Sequence, residues 1–206
     1  ITATGTNIID LEYCKKNNIF VCNLREYAST AVAEHVFALI LNLTKKIKGL
    51  EKDINKYIWQ ERKVFALLSH EIFELKGKRL GIIGKGSIGK KVAKIAKAFE
   101  INVLYHSVRK NNHNRLGGFL KKLDILSIHC PLTKSTNNLI NSKELNLLKK
   151  TAIIINTARG GIVNEDDLVK AIKNGTISGA GIDVTTKEPP NKNHPYYSIL
   201  KHPNFI

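Results

Sequence analysis

At 206 residues with a 43% hydrophobic share, the chain suits one α/β domain, or one domain with a piece of another. No apolar run approaches the roughly 18 residues of a membrane span, no secretory signal is visible, and three cysteines (Cys14, Cys22, Cys130) without metal-ligand spacing point to a reduced, cytoplasmic setting with no metal. The formal charge of +16 raises nucleic acid as a partner, but only six of the 33 basic residues are Arg, the Lys are dispersed along the whole chain, and no aromatic residues alternate with them as stacking platforms.

Residues 1–10 read as a turn-rich lead-in, residues 9–16 as a short helix and residues 19–22 as a short strand. Ser29 or Thr30 is placed to cap a helix that begins near Ala31 and runs to about Lys48. Val32, Val36, Leu39, Ile40 and Leu43 form its apolar face. Residues 52–70 are polar with scattered aromatics (Tyr57, Trp59, Phe65). They read as an arm or irregular connector that packs either on a partner subunit or on its own domain.

Residues 80–83 are an apolar run that suits a buried strand. Gly84, Gly86 and Gly89 follow at G-x-G-x-x-G spacing, and residues 90–99 place Val92, Ile95, Ala96 and Phe99 on one helical face. Residues 102–106 read as the next strand. Strand, glycine turn, helix and strand together are the context in which this spacing signifies a dinucleotide. Gly84 makes the tight turn, Gly86 lets a pyrophosphate approach the backbone, and Gly89 lets the helix lie close to the strand. Free N–H groups and the helix dipole then favour phosphate there.

The alternation continues. Strands are expected over residues 124–129, 152–156 and 178–184, and helices over 142–148 and 165–173, the latter with Asn164 as a possible cap. Asn204-Phe-Ile206 reads as a further strand beginning. Near-continuous apolar strands alternating with helices predict a doubly wound parallel sheet of Rossmann type, covered on both faces. Sites in such sheets lie beyond the carboxyl ends of the strands, which puts Ser107, Cys130, Thr157 and Val184 on one rim. Arg159, just past a strand and beside two glycines, is placed to meet an anion with its planar fork. Asp183 ends the next strand and Glu188 lies five residues on. They serve either this site or, alternatively, a turn cap and a surface loop.

Thr2-Ala-Thr-Gly-Thr-Asn-Ile-Ile-Asp10, Tyr27-Ala-Ser-Thr-Ala-Val-Ala-Glu-His35, the glycine turn, Ser127-Ile-His-Cys-Pro-Leu-Thr133, Ile155-Asn-Thr-Ala-Arg-Gly-Gly161 and Gly181-Ile-Asp-Val184 through Glu188-Pro189 occur in one order along the chain. In that order and spacing the chain resembles the D-2-hydroxyacid dehydrogenase family, with wording closest to its glycerate dehydrogenase (hydroxypyruvate reductase) branch.

The resemblance implies an oxidoreductase that moves a hydride between NAD(P)H and a small 2-oxo or 2-hydroxy acid, acting as a homodimer. It implies that residues 1–30 are the remnant of a flavodoxin-like substrate domain with its hinge, and residues 31–206 the dinucleotide-binding domain. Thr4 and Gly5 would offer backbone N–H groups to the substrate carboxylate. Ser87 and Ile88 would contact the pyrophosphate, with Cys130 and Pro131 also at the cofactor. Thr157, Ala158 and Arg159 would line the nicotinamide, with Asp183 on its carboxamide. Arg159 would also bind the 2-oxo acid, and Glu188 would orient a catalytic His. In the family that His follows a Pro shortly after the strand beginning at Asn204, and none of His35, His70, His106, His113, His129, His194 and His202 fills the role by motif. A chain that starts at Ile1, contains no Met and stops in a strand is expected to be a fragment, inactive by itself.

The acidic residue that ends the second strand of NAD-specific sites is replaced here by Ser107. No Asp or Glu occurs between residues 101 and 123, and Arg109 and Lys110 are close by. That favours NADP, with NAD held through Ser107 as the alternative. A non-catalytic dinucleotide sensor of the same fold is the second functional reading, and a nucleic-acid binder the remote third.

Overall fold

The computed structural model describes residues 1–2, 5–6, 9–24, 26–108 and 113–206, with His113 and Asn114 described by their backbone alone. Its helices are α1 (Leu11–Lys16), α2 (Ser29–Lys45), α3 (Ile47–Asn55), α4 (Ile58–Arg62), α5 (Ser87–Ala98), α6 (His113–Leu120), α7 (Ser142–Leu145) and α8 (Glu165–Lys173). The strands are β1 (Arg79–Ile83), β2 (Asn102–His106), β3 (Ile125–Ile128), β4 (Ile153–Asn156) and β5 (Gly179–Ile182), and a 3₁₀ turn covers Pro195–Ile199.

All five strands pair in parallel in the order β2-β1-β3-β4-β5. Phe205 bridges Ala180, and Ile206 exchanges backbone hydrogen bonds with Ala180 and Ile182, so the expected further strand does begin there, beside β5. The strand order reverses between β1 and β3, which opens a crevice at their carboxyl ends.

Alternating strand residues feed two cores, as a sheet covered on both faces requires. Leu80, Ile82, Ile125, Ile153 and Ile155 pack with Val36, Phe37 and Ile40 of α2 and Val92 and Ala96 of α5. Ile83, Leu126, Ile128 and Ile154 pack with Leu116 and Leu120 of α6, Leu145 of α7 and Leu168 and Ile172 of α8.

Four local expectations are corrected. Residues 19–22 form no strand: Ile19 N–H bonds back to Cys14 O at 2.8 Å, closing the end of α1, and Phe20 is almost fully exposed. Neither Ser29 nor Thr30 caps α2, because Ala28 takes the cap position and Ser29 Oγ donates to Glu26 O. The helix expected to reach Lys48 stops at Lys45. Lys46 adopts the left-handed conformation (φ 55°), its N–H bonds Asn42 O, and Asn42 Oδ1 accepts from Lys48 N–H. The segment over residues 52–70 is not wholly irregular. The end of α3 and all of α4 lie in its first half, and Asp53 Oδ2 then anchors the irregular returning chain through Ser69 Oγ at 2.5 Å and His70 Nε2 at 3.1 Å.

Candidate functional site

The glycine turn joins β1 to α5 at the strand-order reversal. Gly84 sits at φ +103°, and a Cβ there would lie 2.5 Å from His129 O, so only glycine lets the ends of β1 and β3 meet this closely. A Cβ at Gly89 would collide with Gly84 O, which sets the close approach of α5 to the turn. Gly86 differs. It is the extended N-cap of α5, and a Cβ there would meet nothing within 4 Å. Ser87 and Ile88 open the helix beside that space, and their N–H groups belong to the helix's unsatisfied first turn.

Two loops meet beyond β4 and β5. The buried Asn156 stitches the first: Ala158 N–H donates to its Oδ1 at 3.1 Å, and its Nδ2 donates to Arg159 O at 3.0 Å. Thr157 Oγ1 is buried with no partner among the described residues, an orphan that a bound group would satisfy. The Arg159 side chain is exposed, and its Nη1 donates to Ala158 O at 2.7 Å. A Cβ at Gly160 would collide with the carbonyl of Thr185, so the Arg159 loop lies directly against the loop after β5. In that second loop Glu188 Oε1 accepts from Thr185 N–H at 3.1 Å, and Asp183 Oδ1 lies 3.4 Å from His35 Nε2 on α2.

The expected rim is therefore present, with Ser107, Cys130, Thr157 and Val184 all just beyond strand ends. Cys130 is buried, which pushes its thiol up to about 11 and keeps it protonated. Pro131 O accepts from Thr136 Oγ1 at 2.7 Å, which pins the turn after β3. Ser107 lines a groove with Arg115 and Lys122, and Lys85 Nζ lies 4.8 Å from the Tyr105 ring centroid beside the glycine turn. Gly5 lies in the N-terminal segment, half-buried. Thr4 and Arg109 lie outside the described residues. Among the described residues no cluster of three His, Cys, Asp or Glu could hold a metal, and no helix is long and apolar enough to cross a membrane.

Sequence reasoning overlooked Gly160 as a contact point and His35 as the partner of Asp183. Both stood inside recognised segments, yet nothing local marks what they touch.

His129 also lies on this rim. Its Nε2 is 2.8 Å from the buried Ser127 Oγ, and burial pushes its imidazole down to about 4. The unfolded chain, with an ordinary histidine near 6.5, then binds the proton more readily than the folded one. Above pH 7 the ring has no effect, and stability falls as pH drops from about 6.5 towards 4. At pH 4.5 the expected loss from this ring alone is about 2 to 3 kcal/mol. Urea unfolding at pH 7 and 4.5 measures it, and His129→Gln should remove that share of the acid sensitivity. Equal acid sensitivity in both proteins would show that the fold does not hold His129 neutral.

Residues 37–206 match the family model for the D-isomer specific 2-hydroxyacid dehydrogenase, NAD binding domain. The chain is 40% identical to a putative 2-hydroxyacid dehydrogenase of Haemophilus influenzae, over all of this chain and 67% of that protein. It is 40% identical to the glycerate dehydrogenase of Methylorubrum extorquens, over 92% of this chain and 61% of that enzyme. The structure superposes on D-lactate dehydrogenase from Aquifex aeolicus, complexed with NAD and lactic acid, with a TM-score of 0.85 and 34% identity. That match covers 99% of this chain and 66% of the other. The chain thus spans roughly three fifths to two thirds of these relatives, and it belongs to the D-isomer specific 2-hydroxyacid dehydrogenase family.

Proposed function

We propose, from that membership, that the full-length protein is an NAD(P)-dependent D-2-hydroxyacid dehydrogenase reducing a small 2-oxo acid of the hydroxypyruvate or glyoxylate kind. The observation that carries this reading is the contact of the Arg159 loop with the Glu188 loop at Gly160 and Thr185, beyond the same strand ends of the parallel sheet as the glycine turn, with the Thr157 hydroxyl orphaned beside Arg159. The open space at Gly86 and that hydroxyl fit a dinucleotide.

Gly84, Gly86, Ser87, Ile88 and Gly89 would hold the pyrophosphate, and Cys130 and Pro131 would border the adenosine half. Thr157, Ala158 and Asp183 would hold the nicotinamide, which supplies the hydride when bound. Arg159 takes the substrate carboxylate and polarises the 2-oxo group, assisted by the backbone of Thr4 and Gly5. Glu188 hydrogen-bonds a catalytic His beyond Ile206, raising its pKa so that it holds the proton the new alkoxide takes. Residues 1–30 belong to a substrate domain and hinge, and residues 31–206 to the dinucleotide domain. Exposed Tyr57, Phe65 and Leu68 around α4 favour a homodimer through that segment. Three cysteines free of disulfides favour a cytoplasmic setting.

Assaying the full-length protein on hydroxypyruvate, glyoxylate and pyruvate with both dinucleotides tests the reading. Inactivity on all of these would reject it.

For the dinucleotide, NADPH is favoured. The stretch after β2 carries no carboxylate to repel a 2′-phosphate, while Ser107, Arg109 and the neighbouring Arg115 and Lys85 offer donors and charge. A kcat/KM at least equal for NADPH is expected, and Ser107→Asp should swing the ratio towards NADH. A wild-type preference for NADH of about tenfold, near 1.4 kcal/mol, overturns this choice.

A further inference from the structure

Glu165, the first residue of α8, and His194, before the 3₁₀ turn, form a largely buried pair on the β5 side of the sheet. Their side chains are 14% and 9% exposed, and His194 Nε2 lies 2.9 Å from Glu165 Oε2. The ring nitrogen roles are fixed by the neighbours. Tyr196 N–H donates to His194 Nδ1 at 3.3 Å, which leaves the ring proton on Nε2, facing the carboxylate. Tyr196 and Tyr197 pack edge-on against the ring, with centroids at 4.8 and 6.4 Å.

The other oxygen of Glu165 looks towards the site. Oε1 accepts from Thr186 N–H at 2.7 Å. The loop after β5 is thus gripped at two consecutive backbone N–H groups, Thr185 by Glu188 and Thr186 by Glu165. The same two residues form the wall against which Gly160 is packed too closely for any Cβ. Arg159 precedes Gly160 and Glu188 closes the loop. Whatever fixes Thr185 and Thr186 therefore fixes the placement of Arg159 relative to Glu188.

We propose that Glu165 and His194 are positioning residues for the reaction. His194 holds the Glu165 carboxylate in the one orientation that secures Thr186, and this sets the loop against Gly160 so that Arg159 and Glu188 face a common substrate. Neither touches the reacting atoms. The proposal rests on the catalytic reading of Arg159 and Glu188. A misplacement of about 1 Å at such a pair is enough for a large loss of rate.

The test uses the full-length protein with His194→Phe and His194→Gln. Phe keeps the ring against Tyr196 and Tyr197 but loses the N–H, whereas Gln keeps an N–H donor and loses the ring. His194→Phe should lower kcat/KM for hydroxypyruvate at least tenfold, with a clear rise in KM because Arg159 is displaced. His194→Gln should stay within threefold of wild type. Dinucleotide affinity should stay within about threefold and the number of binding sites by calorimetry should be unchanged in both, since the contacts of the pair run to Thr186, Tyr196 and Tyr197 and not to the pyrophosphate turn. Glu165→Ala should reproduce the Phe variant where it folds, and the two His194 variants decide the matter where it does not. Wild-type kinetics for Phe, equal losses for Phe and Gln, or a loss of turnover matched by a loss of dinucleotide sites would each overturn the proposal. A wild-type protein that binds dinucleotide yet reduces no 2-oxo acid would instead reject the catalytic reading, and the proposal with it.

Discussion

Arg159→Lys in the full-length protein is expected to lower kcat/KM for the 2-oxo acid on the order of a hundredfold, while dinucleotide affinity is kept. The side chain makes one bond within the loop, to Ala158 O, but the loop is held chiefly by other groups. Its backbone is held by Asn156, through Ala158 N–H and Arg159 O, and by the contact of Gly160 with Thr185. Lys keeps the charge and loses the planar fork, so the carboxylate and the carbonyl oxygen can no longer be met together. Glu188→Gln is the companion. Its amide oxygen can still accept from Thr185 N–H, so the loop stays closed, but the charge that on the proposed mechanism would tune the catalytic His is gone. The group that must be protonated to donate then has a lower pKa, and the alkaline limb of 2-oxo acid reduction should move to lower pH. Steady-state kinetics across pH 5 to 9, run beside calorimetry for the dinucleotide, separates the two effects. Wild-type turnover across that range in both variants would mean that neither residue serves the chemistry.

The second large effect is a contrast between two glycines of one turn. Gly86→Val should leave folding almost untouched and weaken dinucleotide binding by on the order of a hundredfold, about 2.7 kcal/mol. A side chain at Gly86 enters open space, and on the proposed function that space is where the pyrophosphate would approach the backbone. Gly84→Ala should do the opposite first. Its Cβ would press on His129 O at 2.5 Å from a backbone at φ +103°, so it should destabilise the protein by several kcal/mol before any ligand is added. Thermal unfolding and calorimetry on both variants give the comparison. A Gly86→Val protein that is folded and binds with unchanged affinity would remove the turn from the cofactor site.

Much of the architecture was legible because its signals are local. The apolar runs ending at Ile83, Ile128 and Asn156 each became a buried strand, and Asn164 caps α8 by accepting from Asp167 N–H. The glycine spacing placed the turn, and Thr157, Arg159, Asp183 and Glu188 could be put on the rim because each closely follows a strand end. The local signal failed where distant residues decide the backbone. α6 formed although Gly117 and Gly118 lower its intrinsic propensity, because Leu116 and Leu120 are buried in the core and Phe119 packs over Gly81. α2 broke at Lys46, where Asn42 bonds both sides of the break and the Lys46 ammonium, nearly buried, donates to Asn204 Oδ1.

The sequence by itself determined the strand and helix alternation, the position of the glycine turn and the residue types on the rim, since each is written in spacings of a few residues. The tertiary structure alone decided how those pieces face one another. Gly160 meets Thr185, Glu165 meets His194 across 29 residues, and His35 reaches Asp183 from a helix near the other end of the chain. Such contacts depend on how strands order and helices pack, and a hydrogen bond between residues far apart leaves no period in the chain for a reader to find.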